Sequence, residues 1–215
     1  MRSAMGYVYS DLVRPDILRM VPPDGQVIGS FGCGFGTTEE QLARAGRQVH
    51  GVDIAPEAID VARTRLTTAR VIAPGELDAF PEGSLDGLIL ADVIEHLPRA
   101  GEALVHLSRA VRPGGWIVIS VPNMRSVEVV LAFFLGGDWP ETPQGIFDAT
   151  HVQVMSRKRL ERWCASAGLR IEKWFDLYDP RGPRRYRANR WADLLSLKLF
   201  HGWFMYELQC CCRKA

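Results

Sequence analysis

The sequence predicts an open α/β fold: a doubly wound, mostly parallel sheet with helices on both faces. Two observations carry this expectation. Between Gln26 and Asp53 an apolar run meets a glycine-rich turn, a helix start and a second short strand, which together make one complete strand–helix–strand unit. Further along, Leu85 to Val93 (LDGLILADV) is apolar almost throughout after Asp86, as in a parallel strand covered on both faces.

The first unit is the most informative stretch. Val27 and Ile28 begin a strand, Gly32, Gly34 and Gly36 form the turn, and Thr37 with Glu40 three residues later reads as a capping box opening a helix. A second strand, Gln48 to Val52, ends on Asp53, and Pro56 is placed as the first residue of the next helix. Glycines let a ligand lie against bare backbone, where free amides at a helix start favour negative charge. A carboxylate at the tip of the neighbouring strand can accept hydrogen bonds from both hydroxyls of a ribose. The spacing is G-x-G-x-G; the dinucleotide fingerprint G-x-G-x-x-G would need glycine where Thr37 stands, which opposes a nicotinamide-dependent oxidoreductase, NAD(P) being the alternative cofactor.

The remaining elements follow in order. Ser10 to Met20 has near-helical apolar spacing with Pro15 near its start, preceded by Tyr7 and Tyr9. Pro56 to Leu66 reads as a helix, Arg70 to Ala73 as a third strand, and residues 74–84 as a loop. After the fourth strand, a helix from Gly101 to Val111 is stopped by Arg112-Pro113-Gly114-Gly115, and Trp116 to Val121 is a fifth strand. Ser156 caps a helix ending at Ala167-Gly168, and Leu169 to Leu177 is a sixth strand. A loop carrying Arg181, Arg184, Arg185, Arg187 and Arg190 leads to a helix over Trp191 to Phe200 and a closing strand over Phe204 to Cys212.

Composition narrows the function classes. The 215 residues suit one domain with a full-sized core. With 26 basic and 25 acidic residues the net charge is +1, so net charge gives no footprint for nucleic acid, and no nucleic-acid partner is expected. No apolar run suits a signal peptide or a membrane span, which by default gives a cytoplasmic expectation. Oligomeric state is not set by the sequence. Five cysteines, Cys33, Cys164 and the run Cys210-Cys211-Cys212, lack C-x-x-C spacing, and neighbours on a strand point to opposite faces; reduced, buried thiols are expected.

GCGFG followed by VDIAPEAIDVAR resembles motif I and its sequel in class I S-adenosylmethionine-dependent methyltransferases. The resemblance implies a Rossmann-like seven-stranded sheet in the order 3-2-1-4-5-7-6 with an antiparallel last strand. It also implies S-adenosylmethionine as cofactor, a leading segment (1–24) covering its site, and an acceptor-side insertion (178–203). The implied cofactor residues are Gly32, Cys33, Gly34, Gly36, Asp53, Ile54, then Glu76, Leu77 and Asp78 near the adenine, and Ala91, Asp92, Val93 and His96. One departure stands out: Ser30 replaces the acid usual in the family two positions before the first glycine.

DVIEHLP, residues 92–98, resembles the end of strand four in small-molecule methyltransferases, including those acting on quinone-precursor rings. Ser120-Val121-Pro122-Asn123, Gly137-Asp138-Trp139 and Asp148-Ala149-Thr150-His151 resemble a branch met in polysaccharide and glycoconjugate biosynthesis.

Methyl transfer from a sulfonium relies mainly on orientation and exclusion of water, an effect worth up to about 7–11 kcal/mol. For a hydroxyl acceptor a base helps by roughly 10²–10⁴-fold. His151 is the first candidate and His96 the second, with Asp148 placed to orient His151; His50, His106 and His201 read as structural. Asp92, Glu95 and His96 form an alternative divalent-metal set, but no metal is expected. The expected function is methyl transfer to a small molecule, on a sugar or aromatic hydroxyl. The arginine-rich loop is either a solvated surface or a grip on an acidic acceptor. A degenerate binding module, motivated by Ser30, is the alternative.

Overall fold

The computed structural model describes residues 9–215, so Tyr7 and the start of the leading segment lie outside the described residues. Seven strands form one sheet: β1 (Val27–Phe31), β2 (Gln48–Asp53), β3 (Thr68–Val71), β4 (Leu85–Ala91), β5 (Val111–Pro122), β6 (Leu169–Leu177) and β7 (Glu207–Lys214). Their order is β3-β2-β1-β4-β5-β7-β6. β7 runs antiparallel to both β5 and β6, and the other pairings are parallel. The helices are α1 (Pro15–Leu18), α2 (Glu39–Arg44), α3 (Pro56–Ala62), α4 (Ala100–Ser108), α5 (Val127–Val130), α6 (Arg157–Ser166), α7 (Pro183–Leu195) and α8 (His201–Phe204). A 3-10 turn (Ile94–His96) follows β4, and a π-helical turn (Leu131–Leu135) follows α5.

Alternation along the strands divides the core between the two faces. Leu88, Leu90, Ile117, Ile119, Cys210 and Cys212 pack on the face that also holds α4 and α6. Ile89, Trp116, Val118 and Cys211 pack on the other, against Ile17 of α1, Leu42 of α2 and Ile59 of α3. A fully buried side chain of this size contributes about 1.5–3 kcal/mol relative to exposure. The cysteine triplet is thus split between faces, and all five cysteines are free and buried.

Several local expectations are corrected. The helix expected over Ser10 to Met20 is one turn, because Arg14 precedes Pro15 and is held out of the helical region at φ −99°, ψ 88°. Thr37 does not cap α2; the N-cap position is Thr38, with no side-chain cap. The Thr37 hydroxyl instead donates to Asp11 and accepts from Arg65. The arginine-rich stretch is not a loop: Gly182-Pro183 starts α7, with proline at the first helical position. Trp191, Leu194 and Leu195 are exposed on it, and its buried residue is Asp193, bonded by the Tyr178 hydroxyl and His201. Ser156 does cap α6, accepting from Arg159 N–H.

Candidate active site

A cavity of about 390 Å³ opens at the C-terminal ends of β1, β2, β4 and β5, where the strand order reverses between β1 and β4. Ligands bind at this place in open α/β sheets. One wall is the glycine turn. Gly32 has φ 78° and a Cβ there would lie 2.5 Å from Val93; Gly34 has φ 52°. Both positions demand glycine, and bare backbone faces the cavity. Asp53 Oδ2 accepts from Gly34 N–H at 2.8 Å, and Oδ1 from Ala55 N–H at 3.0 Å and from the Tyr9 hydroxyl at 2.6 Å.

Of the sequence-assigned residues, Gly32, Cys33, Gly34, Asp53, Ile54, Ala91, Asp92, Val93, His96 and His151 line this cavity. Gly36 does not; its positive φ of 68° turns the chain against Leu66. Glu76, Leu77 and Asp78 also fall outside the lining. Glu76 folds back onto Arg70 and Ala73 N–H, Leu77 packs against the core, and Asp78 bonds His106. Ile72, just beyond β3, lines the cavity. Cys33 is buried, and burial pushes its thiol well up, as befits an inert wall residue.

Arg14 straps the leading segment across the strand ends. Its guanidinium donates to Asp16 (2.6 Å), Asp92 (2.7 Å) and Glu207 (2.8 Å). Burial lowers the arginine's pKa, but the three carboxylates outweigh it and the net direction is up. Glu207 is pushed up to about 8 by burial and Asp92, against the pull of Arg14. Asp92 sits at φ 54°, a strained conformation for a non-glycine residue, held by Arg14 and by the Ser120 hydroxyl at 2.6 Å.

The far wall is built by residues 144–155, which dock on the turn after β4. Val152 N–H donates to the Glu95 carbonyl, and the Gln153 amide donates to those of Leu97 and Pro98. This brings the rings of His96 and His151 to 4.8 Å between centroids. His96 Nδ1 faces the Thr150 carbonyl at 3.1 Å and His151 Nδ1 faces that of Ile146 at 3.3 Å. A carbonyl only accepts, so each Nδ1 carries the proton and each Nε2 the lone pair.

Burial lowers both histidines' pKa values, in His151 with help from His96, and keeps them neutral near pH 7. Asp148 does not orient His151: its Oδ1 accepts from Thr150 N–H and Oγ–H, and Thr150 in turn holds His96.

Sequence reasoning named Glu95 only beside Asp92 and His96 as an alternative metal ligand, and missed Glu39 and Glu207 as cavity residues. Glu95 is fully buried, neither carboxyl oxygen has a hydrogen-bond partner, and Oε1 lies 3.9 Å from His151 Nε2. Burial pushes its carboxyl well above the usual range, and Asp92 adds to this. Glu95, His96 and His151 offer ligand atoms within 4.8 Å of one another, so the cluster that could hold a cation differs from the Asp92 set expected. Glu39 also lines the cavity and is bonded by Ser30. A helix start reading Thr37-Thr38-Glu39-Glu40 gives no signal that Glu39 turns inward.

A sheet of this order, with a glycine turn and a strand-end acid enclosing a cavity, defines a nucleotide-cofactor α/β protein. A family model described as a methyltransferase domain matches residues 5–173, and the chain belongs to that family of S-adenosylmethionine-dependent methyltransferases. It is 29% identical over 155 residues to a ubiquinone biosynthesis O-methyltransferase of Burkholderia pseudomallei, covering 68% of this chain and 66% of that one. With another of that name from Alkalilimnicola ehrlichii it shares 30% over 170 residues, covering 75% and 68%. The chain thus spans about two thirds of the length of these relatives.

Solved structures share the fold. A methyltransferase from Archaeoglobus fulgidus superimposes with TM-score 0.62 at 20% identity, covering 88% of this chain and 86% of that one. Magnesium protoporphyrin IX methyltransferase from Synechocystis, with bound S-adenosylhomocysteine, gives 0.61 at 17%, covering 89% and 75%. No helix among the described residues is long and apolar enough to cross a membrane.

Proposed function

We propose that the protein transfers a methyl group from S-adenosylmethionine to a hydroxyl of a small neutral acceptor, an aromatic or sugar metabolite. The observation that carries this reading is the pair of neutral histidines sharing one cavity with the glycine turn and Asp53. The relatives named as O-methyltransferases support oxygen as the acceptor atom.

The cavity's residues fit the donor. Glu39, Asp53, Asp92, Glu95, Asp148 and Glu207 line it with Arg14 as the facing arginine, an acid excess that suits a positively charged sulfonium. The same excess disfavours an anionic acceptor, and none of Arg181, Arg184, Arg185, Arg187 or Arg190 lines the cavity. Asp53 accepts the ribose hydroxyls in this reading, supported by its place on the cavity, with Gly32 and Gly34 giving backbone access and Ile54, Ile72 and Val93 the apolar walls. When bound, the donor supplies an activated methyl for in-line displacement. His151 Nε2 takes the acceptor's hydroxyl proton, and His96, held through Thr150 by Asp148, is the second base. The strap through Arg14 and the 144–155 segment exclude water.

Calorimetric titration with S-adenosylhomocysteine, followed by methyl-transfer assays on phenolic and sugar hydroxyls, tests the reading. Micromolar binding and methylated product support it; folded protein that binds nothing at millimolar ligand removes it.

A further inference from the structure

Glu39 opens α2 directly after the glycine turn, is 6% exposed and lines the cavity. Its Oε1 accepts a hydrogen bond from the Ser30 hydroxyl at 2.8 Å. Among the described residues no lysine, arginine or histidine pairs with it: Arg14, the arginine on the same cavity, is engaged by Asp16, Asp92 and Glu207. Burial pushes the Glu39 carboxyl above its usual range, and the charge of Asp53 adds to this. A buried carboxylate on a ligand cavity needs a cation, and the described residues supply none.

The donor assigned above brings two cationic groups. Its sulfonium has no hydrogen to donate, whereas its α-ammonium has three N–H donors, the complement of a carboxylate. We propose that Glu39 is the residue that binds the donor's α-ammonium, with Ser30 as the positioning residue that holds its carboxylate. This inference rests on the donor reading. It accounts for Ser30: the strand supplies a hydroxyl and the helix supplies the acid, so the departure from the family's usual residue is a relocation of charge. An acid at position 30 would stand against Glu39, and two carboxylates in contact cannot both ionise. Asp53 and Glu39 thus flank the glycine turn, one for the ribose and one for the amino-acid end.

The test compares three ligands by calorimetry: S-adenosylhomocysteine, its α-deaminated analogue, and 5′-methylthioadenosine, which lacks the amino-acid part. Wild-type protein should prefer S-adenosylhomocysteine over the deaminated analogue by roughly 10- to 100-fold, as for a charge-assisted hydrogen bond. Glu39→Gln should weaken S-adenosylhomocysteine by a similar factor and leave 5′-methylthioadenosine within about twofold. Ser30→Ala should shift the same ligand in the same direction by less, and the pair Ser30→Asp with Glu39→Gln should recover most of the affinity.

Equal wild-type affinity for the amino and deaminated ligands, a comparison that needs no variant to fold, overturns the assignment. So does a Glu39→Gln loss shared equally by all three ligands. Wild-type protein that binds none of them overturns the donor reading itself, a distinct result.

Discussion

The Tyr9 hydroxyl donates to Asp53 Oδ1 at 2.6 Å, while Gly34 N–H holds Oδ2 at 2.8 Å. Tyr9 therefore occupies an acceptor that a ribose hydroxyl would use, and it does so from the segment that leads into the Arg14 strap.

Replacing Tyr9 by Phe should remove this competitor. S-adenosylhomocysteine should bind about three- to tenfold more tightly, the effect of one hydrogen bond near 1 kcal/mol. Calorimetry reads the change; an unchanged affinity would mean that the tyrosine contact does not compete with the donor.

Asp53→Ala removes an acceptor for Gly34 N–H and Ala55 N–H as well as the proposed ribose contact. Affinity for S-adenosylhomocysteine should fall by roughly 100-fold or more, while stability drops by about 1–2 kcal/mol and the fold persists. Thermal unfolding and titration on one preparation separate the two effects. Retained affinity would remove the ribose assignment.

His151→Ala should lower kcat by roughly 10²–10⁴-fold with little change in donor affinity. Full activity would return His151 to a structural role, and His96→Ala would then be expected to carry the loss. Because both histidines have folded pKa values below 6.5, the base stays neutral as pH falls to 6.5 and activity declines only at lower pH. The linked stability has the same sign: it is full above about 6.5 and is lost as pH falls toward the folded values.

His201 behaves oppositely. Burial lowers its pKa, but Asp193 at 2.7 Å and Asp176 at 3.0 Å outweigh burial and raise it. Its contribution is complete below about pH 6.5 and is lost as pH rises through the folded value. Hydrogen exchange corrected for intrinsic rates should show α7 and α8 opening more at pH 8.5 than at pH 6. His201→Gln should abolish that pH dependence; a dependence that survives it would assign the effect elsewhere.

The glycine turn, Asp53 and the strands β1, β2, β4 and β5 were legible because each is a local signal: a positive-φ residue, a strand-end acid, an apolar run. His96 and His151 were legible only as separate strand-end and loop residues. Their separation of 55 positions is closed by backbone bonds from Val152 and by Gln153, which no spacing reveals. The helix expected over Trp191 to Phe200 catches only the end of α7, whose arginines mask the Gly-Pro start, and the loop acids Glu76 and Asp78 turn to Arg70 and His106.

The sequence alone determined the fold class and the glycine turn, because backbone conformation at glycine and strand burial are decided within a few residues. Tertiary structure decided the electrostatics. Glu39, Glu95 and Glu207 are spread along the chain, and only packing at one sheet edge buries them around a single cavity, where the loss of water raises the pKa of each.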